Sequence, residues 1–262
     1  MRRRGPWLRF AVLLVVTVVL LLPVLSIVWR ALLPLGDDGG DVPGGPLGVL
    51  ALTLANPTTL LLLRNSLGTT AVTVLVTVLV AAPAGYVLSR GRGRRVAVFS
   101  LLVFGVQSLP LVVFLVPLFV VFAQIGLVDD LVGVTILYIG AAVSVGIWMM
   151  GAAFDAIPAE LEEAAWLDGC GVLGGFVRVV LRNALPGVLS TAVYTFLFAW
   201  NDYWIASLFL GTNTNYTLGL GVAGGGGGPA LAVVALIPPL LVFAVFHRYF
   251  SLGGVSGSLA GT

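Results

Sequence analysis

Six long apolar stretches alternate with shorter polar ones along this chain, and the alternation predicts its elements. The stretches cover about 7–29, 65–88, 96–122, 131–154, 184–210 and 229–246. Helices of such length reach across a hydrocarbon core of about 30 Å. The first is too long for the apolar core of a signal peptide and no small-x-small site closes it, so it is expected to stay as a span. Residues 33–64, with Asp37, Asp38, Asp41 and the run GGDVPGGP, are expected to form an irregular external loop. Residues 123–130, with Asp129 and Asp130, are expected to form an external turn, and 211–228 a glycine-rich external loop. Pro110 and Pro117 are expected to kink the third span, and Pro238 and Pro239 the sixth. The fold class is therefore all-α integral membrane, with six transmembrane helices in a single domain over 1–262.

One polar segment differs from the other connections. Residues 155–186 contain IPAELEEAAWLDGCGVLGGFVRVVLRNALP, where acids, glycines and arginines cluster. Pro158 suits a first helical turn, and Glu160, Glu162 and Glu163 lie where a helix N-terminus favours negative charge. A short helix is expected over about 159–168, with a smooth flank at Ala164 and Ala165. Gly169, Gly171, Gly174 and Gly175 interrupt it, and a second amphipathic piece runs on through Val172, Phe176 and Val180, with Arg178 and Arg182 one turn apart on another face. A plain polar connection and a docking element for another protein both fit this pattern. Two helices with a hinge between them favour the second.

Composition strengthens the membrane reading: 59% of residues are hydrophobic and 9% charged, with a mean hydropathy of +1.11. All 13 basic residues are arginine. Arg2, Arg3, Arg4, Arg9, Arg90, Arg92, Arg94, Arg95, Arg178, Arg182 and Arg248 fall on one side of the predicted topology, and Arg30 and Arg64 on the other. The positive-inside rule makes the richer side cytoplasmic, with both termini on it. The same placement argues against a nucleic-acid stripe. Without lysine the chain lacks the P-loop residue that reaches nucleotide phosphates, so any ATP is hydrolysed by another chain. Cys170 is the single cysteine and His247 the single histidine, which excludes an intramolecular disulfide and a Cys/His metal site.

The segment 157–186 resembles the EAA loop of permease subunits of bacterial ABC importers. Glu163, Ala164, Ala165 and Gly169 reproduce EAA-x-x-x-G, and PAELEEAAWLDG with Phe176 after it is similar to the form found in carbohydrate-uptake permeases. Asn65-Ser66 at the opening of the second span, YVLSR at 86–90, WNDY at 200–203 and Thr217-Leu218 extend the resemblance over about 52–248, closest in pattern to the maltose-type second permease subunit. The resemblance implies cytoplasmic coupling helices between spans four and five. Glu163, Ala164, Ala165, Asp168 and Gly169 would meet a nucleotide-binding ATPase subunit there. It also implies a second permease subunit, two ATPase subunits that hold the ATP and Mg, an extracytoplasmic solute-binding protein, and a place in the bacterial cytoplasmic membrane, multi-pass and in contact with lipid. Where the family usually has proline, this chain has Arg182 and retains Pro186, so the helix after the loop is expected to run straighter.

Trp200, Asn201, Asp202 and Tyr203 lie within the predicted fifth span. Aromatics beside an amide and a carboxylate suit a sugar, whose ring face stacks while its hydroxyls hydrogen-bond. The alternative is that they tie helices together. Gln107 in the third span is a weaker pathway candidate, since a lone amide there also serves as an interhelical hydrogen bond. The leading expectation is an importer permease for a saccharide or related solute. A glycerophosphodiester permease is the alternative within the class. A secondary transporter would need coupling-ion carboxylates in the membrane, and only Asp202 qualifies. No Ser/His or paired-acid constellation supports an intramembrane enzyme.

Overall fold

The computed structural model describes residues 6–32, 45–225 and 227–254, and every regular element among them is helical. Helix α1, Pro6–Leu32, matches the first predicted span. The expected loop at 33–64 is corrected: 33–44, with the three aspartates, lies outside the described residues, and the remainder is helical as α2, Gly45–Ala55, and the start of α3, Pro57–Arg90. The glycine and proline run stops at Pro46, and the residues after it are rich in leucine and alanine, good helix formers. Asn56 accepts the Thr58 amide at 2.9 Å, and Pro57 occupies the first position of α3, where its missing N–H costs nothing.

The third predicted span is two helices, α4, Arg94–Ser108, and α5, Leu111–Gln124, bent by 91°. This exceeds the expected kink. Pro110 cannot donate to the preceding turn, and Leu109 before it is extended at φ −86° and ψ 130°. Pro117 stays inside α5 without interrupting it. Helix α6, Leu131–Asp155, comes after a turn as predicted, with the Val132 amide donating to the Asp130 carboxylate at 2.6 Å as its N-cap.

The polar segment folds as α7, Glu160–Leu167, then α8, Val172–Gly175, a π turn at Phe176–Val180, and α9, Leu181–Asn183. Helix α10, Leu185–Trp200, ends well short of the predicted 210, and α11, Trp204–Phe209, is separate. The fifth span is thus shorter than expected, because Asn201 and Asp202 leave the helix and Asp202 caps the next one. The glycine-rich stretch is also partly helical, with α12 at Leu218–Ala223. Helix α13, Gly228–Gly254, passes Pro238 and Pro239 within one assigned helix and continues beyond the predicted end at 246. Among the described residues four helices are long and apolar enough to cross a membrane, or up to six if each bent pair is one span.

The chain divides into two compact units, 1–61 with 221–238, and 62–220 with 239–262. In the first, α1 packs with α2 and leaves most of its apolar side chains exposed, as lipid-facing residues are. In the second, α6 packs against α4, α10 and α11. One buried cluster joins Ala81, Met150, Phe154, Phe176 and Val180; another joins Phe122, Tyr138, Ile205, Phe209 and Leu210. Helices α3 and α6 touch backbone to backbone at Gly85, where a Cβ would lie 2.7 Å from Met150 Cβ and 2.8 Å from the Gly151 nitrogen.

Polar bonds tie the segment 209–218 to the same unit at two points. Asp129, at φ 59°, donates its amide to the Phe209 carbonyl at 2.7 Å, and its carboxylate accepts the Gly211 and Thr212 amides, both at 2.9 Å, and the Thr212 hydroxyl. From α3, the Asn65 side-chain amide donates to the Thr214 and Tyr216 carbonyls at 2.9 and 3.0 Å, and Ser66 Oγ accepts the Leu218 amide at 2.6 Å. The Thr212 hydroxyl, and after it the Thr212 and Gly211 amides, hold the Asp129 carboxyl down from 3.8 to about 2. A depressed carboxyl contributes stability above its unfolded value and loses it as pH falls toward its folded value. Hydrogen-exchange protection of the Gly211 and Thr212 amides is therefore expected to be full at neutral pH and to fall between about pH 4 and pH 2. In Asp129→Asn the protection is expected to be low and flat across that window.

Candidate functional site

Helix α7 is short and depends on its ends. Its first turn carries Glu160, Glu162 and Glu163, which complement the helix dipole. Its C-terminus closes as a paired cap: the Gly169 amide donates to the Trp166 carbonyl at 3.0 Å and the Cys170 amide to the Ala165 carbonyl at 2.9 Å, with Gly169 at φ +87°. That left-handed conformation admits glycine without strain. The interruption expected at Gly169 is therefore explained by its backbone.

Neighbouring positions on this helix have opposite surroundings. Glu162 is 2% exposed, whereas Glu163, Ala164 and Asp168 are exposed, Ala165 is half-buried, and Leu167 is 90% exposed. The predicted coupling residues thus share an open surface. Glu162, to which the sequence reading gave no partner, anchors the helix from below. Tyr86 Oη donates to its Oε2 at 2.8 Å and Arg90 Nε to its Oε1 at 2.6 Å. Arg90 Nη2 also donates to the Ile157 carbonyl at 2.7 Å, and Nη1 to Ser89 Oγ at 3.3 Å. The Ser89 hydroxyl in turn donates to Asp155 Oδ1 at 2.6 Å. The end of α3 is thereby bonded to the end of α6, to the link before α7, and to α7 itself. The available signal was the spacing of Tyr86 and Arg90, four apart and so on one helix face, with an extra acid one position before Glu163.

Aromatic packing backs this network. Phe176 lies 4.8 Å from the Tyr86 ring and 5.9 Å from Phe154, centroid to centroid. At Gly175 a Cβ would come within 2.9 Å of Trp166 Nε1, so α8 closes tightly on the end of α7. Arg178 is exposed, and so is Arg182. The straighter path expected from Arg182 is corrected, because residues 172–183 and 185–200 meet at 75°. Pro186 sits in the first turn of α10 and cannot donate to the Arg182 carbonyl, so the bend arises there.

The second set of predicted residues separates into distinct environments. Trp200 is buried and stacks on Phe196 at 5.5 Å with planes 13° apart. Asp202 accepts the Tyr138 hydroxyl at 3.0 Å and the Ile205 and Ala206 amides at 3.3 and 3.0 Å, so its carboxylate caps α11 and ties it to α6. Asn201, exposed, donates to the Leu197 carbonyl at 2.9 Å, and Tyr203 is exposed beside Trp204. Gln107 lies elsewhere, in a cavity of about 640 Å³ at the α4–α5 bend, where Phe114, Phe198 and Ser144 also line the wall.

Removing one member of a buried ion pair costs about 3–5 kcal/mol, whereas an apolar replacement of both is often tolerated. Glu162→Ala and Arg90→Ala are each expected to lower the thermal midpoint of the purified protein and to speed proteolysis between 155 and 175. Combining Arg90→Met with Glu162→Leu is expected to recover a large part of that loss, as read by the same two measurements.

Comparison with known proteins agrees with this architecture. Residues 78–252 match the family described as binding-protein-dependent transport system inner membrane component. An ABC transporter permease protein of Streptomyces antibioticus is 33% identical over 203 residues, covering 74% of this chain and 89% of the relative. The trehalose transport system permease protein SugB of Mycobacterium tuberculosis is 30% identical over 211 residues, 76% of each chain. Among solved structures, a chain of a bacterial ABC transporter involved in the import of the acidic polysaccharide alginate superposes with a TM-score of 0.74 at 19% identity, covering 95% of this chain and 99% of that one. With its membrane-length helices and these matches over most of its length, the chain belongs to the family of binding-protein-dependent transport system inner membrane components, as an ABC importer permease subunit.

Proposed function

We propose that this chain is one of two permease subunits of an ATP-driven importer that moves a saccharide or related solute into a bacterial cell by alternating access, as a single transmembrane domain of the cytoplasmic membrane. Both termini and α7 lie on the cytoplasmic side. Glu163, Ala164, Ala165, Asp168 and Gly169 form the surface that seats on a nucleotide-binding subunit, and ATP and Mg belong to that subunit and its twin. An extracytoplasmic solute-binding protein delivers the solute. The observation that carries this reading is the division of labour on α7, where buried Glu162 bonds to Tyr86 and Arg90 while Glu163 and Ala164 stay open. The trehalose and alginate named for relatives favour a carbohydrate. A sequence without lysine, and so without a P-loop, is consistent with hydrolysis in another chain.

A secondary transporter is disfavoured, because the carboxylate of Asp202 is occupied by Tyr138 and the start of α11. In the importer reading, Trp200 and Asp202 shape the break after α10, and the exposed Asn201 and Tyr203, with Gln107 in its own cavity, are the residues left to meet solute.

Glu163→Arg places a like charge where the partner receives an acid, and Gly169→Val forbids the left-handed cap. Each is expected to insert normally, to reduce co-purification of the ATPase subunits, and to bring uptake to background in whole cells. Wild-type uptake in both variants would refute the docking assignment. Glu160→Gln, at the edge of α7, serves as the control and is expected to transport normally.

A further inference from the structure

Where α3 turns into α4, the structure contains a second cavity, of about 380 Å³, that the transport reading leaves unused. Ser89, Arg92, Val96, Ser100, Trp148 and Asp155 are among the residues that line it. Its wall carries one arginine, Arg92, and one acid, Asp155, and further arginines flank Arg92 in the chain outside the wall. Arg90, Arg92, Arg94 and Arg95 fall within six positions, and Arg90–Glu162 is the only salt bridge among the described residues. Arg92, Arg94 and Arg95 therefore face no carboxylate partner among those residues. The lone acid in the wall, Asp155, already accepts the Ser89 hydroxyl at 2.6 Å.

Arg92 is held at the rim by its own backbone surroundings. Its Nη1 donates to the Ser89 and Gly91 carbonyls at 3.1 and 3.0 Å, and Nε and Nη2 have no acceptor among the described residues. A guanidinium fixed on one edge and open on the other presents a fork suited to a phosphate. Ser100 lines the same cavity from α4, and Trp148, 36% exposed, lines it from α6. Away from the cavity, α4 exposes Val98, Leu101 and Leu102, a bare apolar face that begins where the polar wall ends. Anion-binding groups at the end of a spanning helix, an indole, and an apolar track leading into the bilayer match the three parts of a phospholipid: headgroup, interface and chains.

We infer that this cavity holds the phosphodiester headgroup of an anionic phospholipid of the arginine-rich leaflet, with Arg92 and Ser100 as its polar contacts and the acyl chains lying along α4. The inference rests on the proposed membrane orientation, but not on the identity of the solute or on the docking of α7. Free phosphate shares the headgroup's chemistry and lacks the chains, so the apolar track distinguishes the two sources.

The test uses the assembled transporter in nanodiscs of zwitterionic phosphatidylcholine, titrated with phosphatidylglycerol whose acyl chains are brominated near the glycerol. Tryptophan quenching is the readout. The chain has six tryptophans, so Trp148→Phe identifies the share that arises at this site. Saturable quenching of Trp148 by the anionic lipid, and not by brominated phosphatidylcholine, is expected. Arg92→Gln is expected to weaken the apparent affinity about fivefold, the effect of one arginine near a charged surface. Ser100→Leu, which fills the cavity and keeps every charge, is expected to weaken it at least as much. Arg95→Gln, outside the cavity lining, is expected to have less effect than either. Equal quenching by both lipids would overturn the inference. So would an unchanged affinity in Ser100→Leu, which means diffuse attraction without a site. Displacement of the brominated lipid by millimolar inorganic phosphate would overturn the lipid as occupant, because a chain-bearing ligand resists that competitor. Uptake measured alongside keeps the two readings apart: absence of Trp148 quenching in a transporter with normal uptake overturns the lipid site and leaves the permease assignment standing.

Discussion

A carboxylate buried in an apolar protein must have its charge answered on the spot, and Glu162 is answered twice, by the Tyr86 hydroxyl on one oxygen and the Arg90 guanidinium on the other. That requirement sets the roll of α7 about its axis. Successive helical residues are turned by about 100°, so with Glu162 committed inward, Glu163 and Ala164 are carried round to the open side. The presentation of the exposed surface is thus a consequence of a bond beneath it. Arg90 extends the same constraint to the Ile157 carbonyl, so the link into α7 is fixed with the helix.

Further from this network, the second unit relies on different chemistry at different heights. Its middle is held by close packing, with Gly146 receiving the methyl groups of Ala81, Thr77 and Thr191. The far end of α3 uses polar bonds again, through Asn65 and Ser66 to the stretch 214–218. Packing of small residues supplies little direction in a bilayer, where lipid chains are as apolar as the helices. The directional bonds therefore sit at the two ends, and between them they define how far α3 can slide.

Hydropathy made the elements legible wherever one residue type dominated a long stretch. The spans at 7–29 and 131–154 and the short helix near 159–168 correspond to α1, α6 and α7. It failed where a few residues outweighed an average. The glycines and prolines before residue 47 made the whole of 33–64 look irregular, although Asn56 and Pro57 start a helix on their own. Pro110 turns the chain by 91° inside a run that is uniformly apolar, and Asp202 ends a span that composition would carry to 210. The candidate site shows the same limit. Glu163 was legible through its motif, whereas Glu162 acquires its importance from Tyr86 and Arg90, 76 and 72 positions away, and no local pattern records that meeting. Arg182 drew notice as a missing proline, but the bend belongs to Pro186.

The two pins of α3 also impose an order in time. Arg90 meets its carboxylate 72 residues later in the chain, whereas Asn65 meets its carbonyls 149 and 151 residues later. During synthesis all of α3 is therefore made well before either partner, and until then neither end has these protein partners. The Arg90 end closes first, once α7 has emerged. The Asn65 end stays open until the chain has been made as far as 216, which makes the segment after α11 the clasp that completes this unit of the protein.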